Sequence, residues 1–330
     1  QKLNDYVKNI TRNNNILYSR LPDVFKTSLK QTPLEQLDNM IGLKKVKKYI
    51  QQYYHYLKYQ KERKQLGFKM VDEPGIHMII TGNPGTGKTT IARLLAAIYN
   101  DLGLLSTNNV TEVNRSHLVG SYVGQSEENT VNYVKNSING VLFIDEAYSL
   151  KREGQSGNDY GQAVIDTLVT SMTSEEYAGR FAVILAGYPD EMRQFLWANP
   201  GLRSRFPEQN HITLPDFNMD ELIQIAEKTA LNNDYFFTDK ALNQLESLIE
   251  KSRVVKDLVL KAIFEKGAKK GDSSIENWLE HMKIDSHDLE FSNDTESDDK
   301  PMEKLEGLIG LTNIKQEVKK LSSFVRVQQQ

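Results

Sequence analysis

Cysteine is absent from the 330 residues. That excludes a disulfide framework, cysteine metal ligands and thiol catalysis, and it agrees with a reducing, cytoplasmic setting. Long apolar runs are missing as well. Stretches such as Val141–Ile144 and Ala182–Ala186 are a fraction of the ~20 residues that a spanning helix needs. The opening stretch QKLNDYVKNI has no apolar signal region, so neither membrane insertion nor a secretory leader is expected. Charge of one sign is not in excess either. A formal net charge of −3 and a pI near 6.2 give no global basic field, so nucleic acid is not expected as a partner. No second histidine or carboxylate cluster surrounds His117, which is therefore read as a loop neighbour rather than a metal ligand.

What is present begins with an internal echo. PLEQLDNMIGLKKVKKYI, starting at Pro33, returns as PMEKLEGLIGLTNIKQEV, starting at Pro301. The separation is that of a whole domain, too long for a solenoid repeat. One complete module and the opening of a second are expected. Between them runs HDLEFSNDTESDDKP, acidic and poor in apolar residues, which reads as an exposed linker. The expected divisions are a lead segment at 1–32, an α/β part at 33–217, a small helical part at 218–284, an acidic linker at 285–300 and the first helix of a second module at 301–330.

Within the first module, short β-type runs alternate with helical stretches. Strands are predicted at Ile76–Thr81, Val110–Val113, Val141–Ile144, Phe181–Ala186 and His211–Leu214, several of them continuously apolar. Helices are predicted near Thr89–Asn100, Glu127–Ser137, Gly161–Thr173 and Pro189–Ala198. Alternation of this kind argues a parallel sheet of the α/β class. After Asp216 only helices are predicted, at Met219–Asn232 and Asp239–Lys251.

Gly82-Asn83-Pro84-Gly85-Thr86-Gly87-Lys88-Thr89 matches the phosphate-binding pattern GxxxxGK[ST], directly after a strand and at the start of a helix, and Thr90, next in that helix, is counted with the loop as a nucleotide-binding candidate. Glycines let backbone N–H groups turn inward around phosphates, and the helix N-terminus adds partial positive charge. Lys88 is suited to neutralise phosphate charge, and Thr89 to offer a hydroxyl to Mg²⁺. Downstream, Val141-Leu142-Phe143-Ile144-Asp145-Glu146 is an apolar strand ending in two carboxylates. Asp145 is the candidate for the Mg²⁺ shell and Glu146 for the base that activates water. ATP and Mg²⁺ are the expected ligands.

These motifs resemble the AAA+ ATPases. LVGSYVGQS at Leu118–Ser126, FIDEAYSL at Phe143–Leu150 with DYGQ at Asp159–Gln162, and VILAGYPDEM with NPGLRSRF narrow the resemblance to the CbbX and stage V sporulation protein K family. It covers about Leu34 to Lys270. It implies a doubly wound five-stranded parallel sheet, a helical lid, hexameric rings of identical chains and ATP-driven threading or pulling of a protein substrate. Relatives in that family serve Rubisco activation, sporulation and type VII secretion.

Residue by residue, the resemblance implies further roles. Arg205, with Arg203 as second candidate, matches the arginine that reaches a neighbouring subunit's ATP, where a planar fixed charge suits phosphoryl oxygens. Tyr122-Val123-Gly124 matches the aromatic pore loop, whose apolar ring contacts an extended chain without demanding a sequence. Ile41-Gly42-Leu43 matches the strip beside adenine, and Arg253 the lid arginine, although the loop before Arg253 is short for that role. Where the family at large has a polar sensor residue, this chain has Ala186-Gly187-Tyr188. The leading expectation is a ring-forming ATPase that remodels or threads a protein. The alternative is an ATP-gated assembly scaffold that hydrolyses slowly, and a nucleic-acid translocase is disfavoured by the lack of a basic stripe.

Overall fold

The computed structural model describes residues 31–69, 75–151, 160–251, 254–270 and 281–291. Arg253, Asp159, nearly all of the lead segment, residues 292–300 of the acidic run and the second-module helix lie outside the described residues. No helix among the described residues is long and apolar enough to cross a membrane.

Two helices precede the sheet. Helix α1 (Pro33–Asp38) starts at a capping box in which Thr32 and Glu35 satisfy each other's backbone N–H groups. Helix α2 (Lys44–Gln65) follows and buries Val46, Ile50, Tyr53 and Leu57 at helical spacing. The α/β part then runs β1 (Met78–Thr81), α3 (Lys88–Asp101), β2 (Val110–Val113), α4 (Arg115–Leu118), α5 (Gln125–Asn136), β3 (Val141–Ile144), α6 (Tyr160–Thr173), β4 (Ala182–Gly187), α7 (Pro189–Trp197), α8 (Pro200–Arg203) and β5 (His211–Thr213). Short 3-10 turns at Ala147–Leu150 and Glu208–Asn210 complete it.

The five strands form one parallel sheet in the order β2-β3-β4-β1-β5. Strand alternation divides the core into two layers. Met78, Ile80, Val141, Phe143 and Ile184 face α1, α2 and α3, whereas Ile79, Leu142, Ile144, Val183 and Leu185 face the side of α5, α6 and α7. Covering both faces is what a parallel sheet requires, and it explains why β3 and β4 carry no polar residue at all. Truncating fully enclosed Phe143 to alanine is expected to cost about 3–5 kcal/mol. Strand register brings Thr81 opposite Gly187 and Ile144 opposite Leu185, so β1, β3 and β4 end at a common edge.

Beyond the sheet lie α9 (Met219–Asn232), α10 (Asp239–Lys251) and α11 (Val255–Lys270), with a core of their own built on Ala226, Leu245, Val259 and Leu289. Two features correct the expectation of helices alone ending at 284. A two-residue parallel ladder joins β6 (Phe236–Phe237) to β7 (Lys283–Ile284). The chain then stays in the lid: Leu289 is buried, and Asp288, expected in an exposed linker, is only 2% exposed, with Lys266 at 3.7 Å. Its carboxylate also accepts the Asp285 N–H at 3.0 Å, which is why an acid tolerates burial here.

Candidate functional site

The phosphate loop connects β1 to α3. Gly85 and Gly87 adopt φ of 78° and 94°, the left-handed region in which glycine has no Cβ penalty. A Cβ on Gly82 would come within 2.7 Å of Thr86 Oγ1, so the loop's first glycine is required by close approach. Thr86 Oγ1 donates to the Asn83 carbonyl at 2.8 Å and closes the turn. The Lys88 ammonium donates to the carbonyls of Gly82 and Asn83, at 2.9 and 3.1 Å. Burial lowers the Lys88 pKa, opposed by the negative charges of Asp145 and Glu146. The loop cation and the acidic pair, more than fifty residues apart in sequence, therefore share one site.

At the end of β3 the Glu146 N–H donates to Asp145 Oδ1 at 3.0 Å. Glu146 itself takes φ 47° and ψ 45°, left-handed for a residue with a side chain, and leaves its carboxylate exposed. Arg115 braces this segment from the other direction, donating to the carbonyls of Ser149 and Leu150 at 2.8 and 2.6 Å. Arg115 stands at the start of α4, which leads into the Tyr122 loop. Nothing in its local sequence marked it.

A cleft of about 340 Å³ separates the loop from the lid, lined by Pro84, Gly85 and Thr86 on one side and by Leu222, Ile249 and Glu250 on the other. Phe217 and Met219 supply further apolar wall. Ile41-Gly42-Leu43 contributes differently. Leu43 is buried in the core, and Gly42, at φ 64°, lies against Glu221 of α9, whose Oε1 would meet a Cβ at 2.5 Å. Thr89 is half-buried in the first turn of α3, whereas Thr90 faces a different recess with Met40, Arg93 and Asn109. That recess is larger, about 470 Å³, but it holds neither loop residues nor acids, so size does not mark the chemical site.

Tyr122 and Val123 are 75% and 80% exposed. Their backbone is nevertheless braced: Gln125 Oε1 accepts the N–H groups of Ser121 and Tyr122, at 2.8 and 3.3 Å, and Gly124 caps α5 at φ 83°. His117 Nδ1 accepts the Asn114 N–H and its ring meets Tyr133 edge-on, so it serves the local fold. Arg203 is exposed, with its guanidinium 4.6 Å above the ring of Trp197. Arg205 is half-buried: one terminal nitrogen donates to the Gly201 carbonyl at 2.8 Å, while its Nε is buried with no acceptor. Among the described residues, no group of three or more His, Asp or Glu could hold a metal ion. A cation shared between Thr89, Asp145 and a bound phosphate fits the oxygen donors present.

Residues 78–214 match the family described as ATPases associated with various cellular activities, and residues 218–299 match the AAA lid domain. The chain is similar to stage V sporulation protein K of Bacillus subtilis, 39% identical over 63% of this chain and 62% of that protein. It is 41% identical to protein CfxQ of Xanthobacter flavus over 67% of this chain and 68% of that protein. It is also 41% identical to ESX-3 secretion system protein EccA3 of Mycobacterium tuberculosis, over 66% of this chain but only 33% of the relative. The chain thus spans from a third to two thirds of these proteins. Among solved structures, a Thermotoga maritima RuvB variant superposes with a TM-score of 0.51 at 20% identity, covering 77% of this chain and 69% of that one. At that identity the likeness is one of fold.

Proposed function

This chain belongs to the AAA family of ATPases, in the branch of CbbX and stage V sporulation protein K, and we propose that it hydrolyses ATP to remodel or thread a protein. The observation that carries the reading is the convergence of Lys88 with Asp145 and Glu146 at one sheet edge. Ligands bind open α/β sheets outside the carboxyl ends of the strands, and here those ends carry the glycine loop with Lys88 and the carboxylates of Asp145 and Glu146 together.

The residues divide the work by their chemistry. Loop N–H groups and the N-terminus of α3 hold the β- and γ-phosphates, and Lys88 exchanges its carbonyl partners for phosphate oxygens. Mg²⁺, held by Thr89 and Asp145, would supply neutralisation of charge on the bridging oxygens. Glu146, exposed at the strand end, takes the proton of the attacking water. Arg205, or Arg203 in its place, completes the site of an adjoining copy in a ring, and Tyr122 grips the polypeptide on which the ring acts. The protein partner belongs to the same proposal, as does a ring of identical copies. Exposure of Tyr122 and Val123 beside a braced backbone favours this reading over an ATP-gated scaffold, which has no use for a free aromatic tip.

Phosphate release by purified protein tests the proposal, with Glu146→Gln as control and a partner polypeptide titrated in. Stimulation by a polypeptide that is itself altered supports remodelling. Nucleotide binding with negligible release, unmoved by any partner, would leave the scaffold.

A further inference from the structure

Helix α2 carries two stripes. Val46, Ile50, Tyr53 and Leu57 face the core, while Lys45, Lys48, Gln52, Tyr56, Tyr59 and Arg63 follow one another at the same spacing of three or four on the solvent side. All of the second set are exposed except Arg63, which is half-buried.

Residues 44–69 hold nine Lys and Arg but a single acid, Glu62, in a chain whose net charge is −3. The chain therefore has a basic stripe that its net charge conceals. Two of these cations serve the fold: Lys47 donates to the Asp38 carbonyl at 2.9 Å, and Lys61 to that of Leu102 at 2.6 Å. Lys45, Lys48 and Arg63, by contrast, form no ion pair with an acid among the described residues. Nor do the lysines favour the helix itself. Lys44, Lys45 and Lys47 stand in its first turn, where the helix dipole disfavours positive charge, and no acid stands with them to offset it. A run of cations left without neutralisation is complementary to an anionic partner.

The far end of the stripe narrows the class of that partner. Tyr56, Tyr59, Leu66 and Phe68 are exposed there, and the Arg63 guanidinium lies 5.8 Å from the Tyr59 ring centroid and 4.6 Å from that of Phe68. A single-stranded nucleic acid stacks its bases on free ring faces, and Arg63 already covers a face of both rings. A lipid surface takes in a helix by its apolar stripe, which in α2 is buried in the core. Cations with tyrosine and arginine beside exposed apolar surface instead suit a polypeptide.

We propose that the outer stripe of α2 is a docking surface for an acidic segment of another polypeptide. Lys45 and Lys48 take its carboxylates, and Tyr56, Tyr59 and Arg63 hold apolar side chains at the other end. From Lys45 to Arg63 the stripe spans about 27 Å of helix. It uses no residue of the nucleotide site, so its failure and the failure of the ATPase reading are separate events.

Fluorescence anisotropy with the full chain tests this, the probe being a labelled peptide of repeated Glu-Glu-Leu long enough to span the stripe. The parent should bind it, more weakly as salt rises. Lys48→Glu and Tyr59→Ala, both at exposed positions, should each raise Kd about threefold to tenfold. Lys135→Glu makes the same change of charge on α5, across the sheet, and should move Kd less than about twofold. Equal losses from Lys48→Glu and Lys135→Glu would reduce the attraction to overall charge and overturn the site, as would a parent that leaves the peptide unbound. Tighter binding of an oligothymidylate, or of vesicles of phosphatidylcholine with phosphatidylserine, would overturn it in favour of nucleic acid or of a membrane. If Lys48→Glu and Tyr59→Ala instead shift the sedimentation of the chain alone, the stripe joins copies of this chain and the acidic partner is excluded.

Discussion

The carboxamide of Asn83 donates to both oxygens of the Asp216 carboxylate, at 2.9 and 3.0 Å, and so joins the phosphate loop to the segment that leads into the lid. A loop residue that grips the hinge links phosphate position to lid position. Asn83→Ala and Asp216→Ala are each expected to raise the Kd for ATP by about threefold to tenfold, the worth of one charge-assisted hydrogen bond near a surface. Because they break the same contact, the double variant should lose less than the sum. Strict additivity in isothermal titration would show that the pair does not couple.

Lys88→Ala removes the one ammonium that the loop carbonyls hold, and with it the cation facing the phosphates. ATP binding should fall below detection, and affinity near the parent's would displace the site from this loop. Glu146→Gln leaves the cradle intact and should bind ATP normally while hydrolysing it about 10²- to 10⁴-fold more slowly. An undiminished rate would assign the water to another residue.

Arg205 is tested by mixing. Arg205→Ala should keep ATP affinity, because a finger supplied to a neighbour is remote from its own phosphates, while hydrolysis falls by up to about 10³. The fall is smaller if exposed Arg203 stands in. Combining Arg205→Ala protein with Lys88→Ala protein should then restore turnover wherever an intact finger meets an intact loop. A monomeric protein hydrolysing ATP at a rate independent of its concentration would contradict a shared site.

His77 makes stability depend on pH. Its Nδ1 accepts the Val183 N–H at 2.9 Å, and its ring packs between Phe181 and Phe206, with centroids 6.1 and 5.9 Å away. Burial, and then the charge of Arg205, lower its pKa from 6.5 to about 4. Between those values the unfolded chain binds the proton and the folded chain does not. Stability is therefore complete above about pH 6.5 and is lost as pH falls toward 4. Part of the residue reaches solvent, which trims the effect to about 1–2 kcal/mol by pH 5. Urea melts at pH 7 and 5 should show that loss in the parent and not in His77→Asn, and equal losses would acquit the histidine.

Sequence made the local parts of this design legible. The five strands were readable because fully apolar runs such as Val141–Ile144 stand out, and the loop because its glycine spacing is enforced by backbone geometry. Edges moved by a residue or two: β1 begins at Met78 rather than Ile76, for Ile76 belongs to the core without joining the ladder. What stayed hidden depends on distant pairs. Asn83 and Asp216 are 133 residues apart, and no periodicity reports such a contact. Likewise Gly187 reads as an absent side chain until Tyr148 is seen lying against it. The ladder of Phe236–Phe237 with Lys283–Ile284 is too short to leave a pattern at all.

The cleft has one wall on the phosphate loop and the other on the lid, and lid helix α9 is tied back to the base where the Lys228 ammonium donates to the Asn39 carbonyl at 2.7 Å. A change in the angle of the lid would therefore change the width of the cleft. Linkage then makes force and ligand interchangeable: a load that pries the lid open lowers nucleotide affinity by the same free energy with which a bound nucleotide resists the load. On the proposed reading, in which the chain pulls on a polypeptide, pulling harder on the lid would be equivalent to lowering the concentration of ATP.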